Sequence, residues 1–143
     1  FARTGGEACS IAVRIGRAAT KKSKIAFCGY HGWHDWYISA NIGDSSILDE
    51  QLLPGLKPVG VPRELHGTML PFNYNNLQEL KDLVEQHDGE IGVIIMEPER
   101  GFPAEEGFLE GVREIATTIG AVMIKAVICA WSRTCAYMSR SCS

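Results

Sequence analysis

Phe1-Ala-Arg-Thr-Gly-Gly-Glu-Ala-Cys-Ser-Ile-Ala-Val-Arg-Ile-Gly-Arg-Ala-Ala19 decides how this chain is read. A Thr-Gly-Gly turn runs directly into a helical pattern. Ala8, Ile11, Ala12, Ile15 and Ala19 recur at helical spacing and predict the buried face. Arg14, Arg17, Lys21 and Lys22 fall on the other face or near the C-terminal end, where cations suit the helix dipole. Thr4 is placed to cap the helix, with Glu7 three residues on completing a capping box. Two glycines at a helix start allow close backbone approach, and the free N–H groups there favour an anion. The residues alone leave two readings open: a phosphate seat at the front of a helix, or a flexible glycine turn before an ordinary one.

Working outward, the 143 residues suffice for one domain or a piece of a larger one. Apolar residues make up 45%, charged residues 22%, and the net charge is −3, which predicts a soluble globular chain. This mildly acidic balance gives no electrostatic case for nucleic acid or an anionic membrane. No apolar run reaches membrane-spanning length and no signal-peptide pattern opens the chain. The five cysteines lack paired spacing, and Cys9 and Cys28 sit in apolar elements, so reduced thiols and a cytoplasmic location are expected. The chain opens without Met on a motif that should follow earlier structure, which predicts a fragment.

Lys24-Ile-Ala-Phe-Cys-Gly29 reads as a strand, followed by the aromatic-rich Tyr30-His-Gly-Trp-His-Asp-Trp-Tyr37. Residues 41–58 read as a long surface loop, and Thr68 to Phe72 as a strand interrupted by Pro71. Asn76 should cap a helix through Gln86, with Glu79 as capping-box partner and Leu77, Leu80, Leu83 and Val84 inward. Ile91-Gly-Val-Ile-Ile-Met96 is continuously apolar, the mark of a strand covered on both faces. Glu105 to Ile119 predicts a helix stopped by Gly120, and a buried strand follows from Ala121 to Ile124 or on to Ile128. This alternation implies an α/β layer with a mostly parallel sheet, whose ligands gather at the carboxyl ends of the strands. Residues 29–37 and 97–101, with the Thr4–Glu7 turn, are placed there.

Several of these motifs, in this order, resemble the class III aminotransferases, pyridoxal-phosphate (PLP) enzymes of fold type I. Within that family the chain resembles the glutamate-1-semialdehyde 2,1-aminomutase branch. Thr4-Gly-Gly-Glu-Ala8 is similar to the family's Ser/Thr-Gly-x-Glu-Ala turn, Tyr30-His-Gly32 to its Tyr-His-Gly motif, and Glu97-Pro98 to its Glu-Pro after a buried strand. The resemblance covers residues 1 to about 124. It implies the large PLP-binding domain, with the phosphate on Thr4, Gly5 and Gly6, Tyr30 stacked on the pyridine, and His31 and Glu97 beside the cofactor. It further implies a small-molecule amino substrate and a homodimer.

Two parts of the family pattern are missing. The Asp that should close the last strand and pair with the pyridine nitrogen is replaced by Lys125 or Ala126, depending on a one-residue slip. The Schiff-base lysine lies downstream in the family, and none of Lys21, Lys22, Lys24, Lys57, Lys81 and Lys125 takes its position; Lys125 is the nearest to the presumed pocket. Residues 125–143 contain no Asp or Glu and three of the five cysteines, and are expected to form an irregular, divergent tail. The sequence therefore predicts a PLP-dependent aminotransferase or aminomutase fragment, inactive alone. The alternative is a non-catalytic module that binds a phosphate ligand or pairs with a homologue. The cluster His31-x-x-His34-Asp35 suggests zinc, with a spacing that suits a helix turn, but a third strong ligand is lacking, so no metal is expected. Trp33, Trp36 and Tyr37 are candidates for a substrate pocket or a subunit interface.

Overall fold

The all-apolar run at 91–96 becomes the inner strand of a parallel sheet, every one of its six residues buried. The computed structural model describes residues 1–51, 54–99 and 101–127. Its elements are α1 (Gly5–Thr20), β1 (Lys24–Cys28), α2 (Asp35–Ile38), β2 (Met69–Pro71), α3 (Leu77–Gln86), β3 (Ile91–Met96), α4 (Phe108–Thr118) and β4 (Val122–Lys125). The four strands lie in the order β2-β1-β3-β4, all parallel. Ile25 pairs with Met69 and Val93, and Val93 with Val122.

Strand alternation divides the core into two layers. Ile25, Phe27, Val93 and Ile95 face Cys9 and Val13 of α1 together with Trp36 and Tyr37. Ala26, Cys28, Ile94 and Met96 face Leu80 of α3 and Phe108, Val112 and Ala116 of α4. The continuous apolar pattern of β1 and β3 follows from this double cover. Gly120, at φ 68°, turns the chain out of α4 as expected.

The structure corrects several expectations. The buried face of α1 is Cys9, Val13 and Gly16, while Ile11 and Ile15 are 48% and 63% exposed. Gly16 explains the rotation: a Cβ there would lie 2.7 Å from Val93 Cγ2, so only glycine lets the helix settle this close to β3. Residues 41–58 are more than a surface loop. Asn41, Leu48 and Gln51 are buried, and Asn41 ties the segment together by donating to Leu56 O at 2.7 Å and accepting from Leu48 N at 2.9 Å. Helix α4 starts at Phe108 rather than Glu105, because Gly107 takes the cap position at φ 81°. Both capping boxes are modified. Thr4 and Asn76 accept from the N–H groups of Glu7 and Glu79, but the Glu7 and Glu79 carboxylates reach back to the N–H groups of Arg3 and Asn73. The expected tail lies outside the described residues beyond Val127.

Candidate functional site

A helix that leads into a strand runs against it, so the N-terminus of α1 comes to the carboxyl end of the sheet. The chain leaves β1 toward the α1 layer and leaves β3 toward the α4 layer. Adjacent strands whose connections part in this way open a crevice between their carboxyl ends. Gly29–His34 follows β1 there and Glu97 follows β3. The two meet where Tyr30 N donates to Glu97 Oε2 at 3.2 Å.

The first turn of α1 is built to receive an anion. Thr4 Oγ1 accepts from Glu7 N at 3.1 Å and Thr4 O from Ala8 N at 3.0 Å. The N–H groups of Gly5 and Gly6 have no acceptor among the described residues. They point out of the positive end of a 16-residue helix. A Cβ on Gly5 would meet nothing within 4 Å, so the space in front of it is open. Gly6 is different: its Cβ would lie 3.2 Å from His34 Cε1 and 3.3 Å from Gly32 Cα. Gly32, at φ 108°, combines a backbone turn that L side chains rarely adopt with a contact that leaves no room for a Cβ, 2.7 Å from Gly6 Cα. These two glycines bring the β1 loop against the helix start.

Within that loop the residues separate. Tyr30 is half-buried at the strand end, edge-on to Tyr37 with centroids 5.9 Å apart. His31 is 1% exposed, and its Nε2–H donates to Cys28 O at 3.0 Å, so it packs beneath the loop against Tyr37. His34 is exposed and faces Gly6. The two histidines of the H-x-x-H-D cluster are thus turned to different partners. Trp36 and Tyr37 are buried: Trp36 Nε1 donates to Ser10 Oγ at 2.9 Å and Tyr37 Oη to Gly29 O at 2.9 Å. Trp33 alone of the three is exposed, at 64%.

Gln51 belongs to the site and gave no signal in the sequence. It is 1% exposed, and its Oε1 accepts from Gly29 N at 2.7 Å. The Gly29–Tyr30 turn is therefore held by Gln51, Tyr37 and Glu97, from three separate segments. Cys9 lies in the second turn of α1. Burial pushes its thiol up from the ordinary value and the Glu97 carboxylate adds to the effect, which disfavours a reactive thiolate.

The end of β4 sets Lys125 and Ala126 on opposite sides of the sheet. Ile124 and Ala126 face the α1 layer, while Ala121 and Met123 face α4. By strand alternation Lys125, which is exposed and pairs with Met96, shares the Met123 side. Ala126, 8% exposed, takes the position on the site's side.

These residues fit one end of a pyridoxal phosphate better than the other. Two acceptor-less amides, a threonine hydroxyl and open space suit a phosphate. Tyr30 supplies an aromatic face, and Glu97 a carboxylate. At the ring-nitrogen end such cofactors are met by an Asp or Arg; the β4 end on the α1 side carries Ala126, whose side chain has no polar atom.

Known proteins share this architecture. The chain is 33% identical over 129 residues to 3-aminobutyryl-CoA aminotransferase of Cloacimonas acidaminovorans, covering 85% of this chain and 27% of that protein. It is 35% identical over 130 residues to glutamate-1-semialdehyde 2,1-aminomutase of Hyperthermus butylicus, covering 87% and 29%. Among solved structures, a transaminase with PLP bound aligns at a TM-score of 0.70 and 25% identity, over 87% of this chain and 29% of that one. An omega-transaminase from Sphaerobacter thermophilus aligns at 0.64 and 26%, over 84% and 29%. The chain therefore spans under a third of the curated relatives it matches. No family model matches it.

Proposed function

We propose, for a chain homologous to the class III aminotransferases and glutamate-1-semialdehyde 2,1-aminomutases, that it supplies the phosphate cradle and ring platform of a PLP-dependent aminotransferase or aminomutase. The observation that carries this reading is the pair of acceptor-less N–H groups at Gly5 and Gly6, set at the crevice between β1 and β3 beside Tyr30 and Glu97. When bound, the cofactor supplies the electron sink for chemistry at an amino-bearing carbon. This chain's residues hold and orient it. Thr4, Gly5 and Gly6 take the phosphate, Tyr30 lies against the ring, His31 fixes the loop from below, and Glu97 sits near the ring's polar edge. The substrate is an amino acid or amino-aldehyde, and the assembly a homodimer.

Ala126 favours a second statement about the 143 residues by themselves: they bind without turning over. Among the described residues, the end of β4 brings no acidic side chain to the α1 side, where Ala126 stands, and Lys125 lies on the other side of that strand. A polypeptide of residues 1–143 then acts as a phosphate-ligand-binding module, or pairs with a homologue that brings the remaining groups.

The test is a PLP titration of the purified chain, followed by visible absorption. A saturable spectral change that inorganic phosphate competes away is expected. An unsaturable change that phosphate leaves untouched would reject the phosphate cradle.

A further inference from the structure

The loop after β1 carries one titratable side chain that the reading above does not use. We propose that the His34 imidazole is a further donor of the α1 anion seat, closing on the ligand's phosphate from the Gly32 side. The inference rests on the reading of Thr4–Gly6 as the place of that phosphate.

Three observations direct the ring there. The backbone of His34 caps α2, its carbonyl accepting from Tyr37 N at 2.9 Å and Ile38 N at 3.1 Å, yet its side chain makes no capping bond. The side chain is therefore free of the task that its position in sequence would assign. The ring lies instead against the start of α1, where a Cβ on Gly6 would be 3.2 Å from Cε1 and 3.4 Å from Nδ1. The same Nδ1 would be 3.5 Å from a Cβ on Gly32. The ring is also exposed, and its nitrogens have no hydrogen-bond partner among the described residues.

His31 supplies the contrast. Three residues earlier, it is buried with Nε2–H committed to Cys28 O. One histidine of the pair builds the loop, and the other stands beside the two acceptor-less amides. An imidazole there contributes an N–H donor to an anionic phosphate oxygen. Such charge-assisted bonds are the stronger class. The carboxylate of the same turn does not oppose it directly, since Glu7 Oε2 is turned back onto Arg3 N.

The experiment compares pyridoxine phosphate with pyridoxine, which lack the reactive aldehyde, as ligands of the full chain and of His34→Ala and His34→Gln. His34→Ala is expected to weaken pyridoxine phosphate about tenfold, the scale of one charge-assisted bond. His34→Gln, which keeps an N–H donor, should lose less, and pyridoxine binding should not change. Undiminished pyridoxine phosphate binding by His34→Ala overturns the proposal, as does an equal loss for both ligands, which would mark a structural role. If the parent chain binds neither ligand, the cofactor reading fails, and inorganic phosphate decides on His34 alone. A saturating shift of its Cε1–H resonance in an NMR titration supports the contact, and an unmoved resonance refutes it.

Discussion

Gly5 and Gly6 are neighbours with different tasks. Gly5 borders open space, and its amide faces outward; Gly6 is a spacer that lets Gly32 and His34 approach the helix. Gly5→Asp should therefore fold. Its side chain meets no neighbour, and a carboxylate in the first helical turn stabilises by about 0.3–1 kcal/mol. The same carboxylate occupies the seat and repels phosphate. We predict an unchanged or raised melting temperature together with at least a tenfold loss of PLP affinity, by calorimetry on one sample. Gly16→Ala should do the reverse. Its Cβ would stand 2.7 Å from Val93 Cγ2 in the sheet interior. Overpacking of that kind costs about 1–3 kcal/mol, read as a lower urea midpoint. Thr4→Ala removes the cap from Glu7 N and should cost about 1 kcal/mol by the same measurement.

At the scale of elements, the chain's local patterns foretold β3, α3 and the Thr4 cap, because each is decided by neighbours in sequence. The buried face of α1 was not foretold. Hydrophobicity selects Ile11 and Ile15, but close packing on β3 selects the small face of Cys9, Val13 and Gly16, and that choice depends on Val93, far along the chain. Gln51 was missed for a similar reason. It sits in an aperiodic stretch, and its partner Gly29 is 22 residues away. Gln51→Leu would leave the buried Gly29 N–H without its acceptor, which costs about 1–3 kcal/mol. Because that N–H begins the turn carrying Tyr30, the variant should also bind PLP more weakly, seen by equilibrium titration beside urea unfolding.

The opposite ends of β1 and β3 carry an electrostatic link. Lys24 Nζ lies 2.8 Å from Glu90 Oε2, at the foot of these strands. The hydrogen bond from Lys24 is the main cause holding the Glu90 carboxyl below its ordinary value. A depressed acid contributes stability above its unfolded-state value and loses it as pH falls through the lower, folded one. Lys24→Met should let the Glu90 carboxyl rise toward the ordinary range in an NMR pH titration. Glu90 is exposed while Lys24 is half-buried, so the ion pair itself should contribute little to neutral-pH stability.

For the molecule as a whole, the α/β plan and its mostly parallel sheet were legible in the strand–helix rhythm, and the motif order pointed to one end of that sheet for the candidate site. What the rhythm did not reveal was the apolar surface that remains. Ile11 and Ile15 stand out on α1, Trp33, Val59 and Phe102 stand out on loops, and β4 is the last described strand on its side of the sheet. Open strands and apolar stripes of this kind associate. We expect sedimentation of residues 1–143 to show mass rising with concentration; one monomeric species at all concentrations would contradict this.

Whether the N-terminus of α1 is the phosphate seat is read from the amide NMR spectrum of the labelled chain during a PLP titration. We predict saturating shifts that are largest at the Gly5 and Gly6 N–H resonances, with smaller ones at Tyr30. Saturable binding that leaves those two amides unmoved, or that shifts the α3 and α4 resonances on the other face instead, would contradict it.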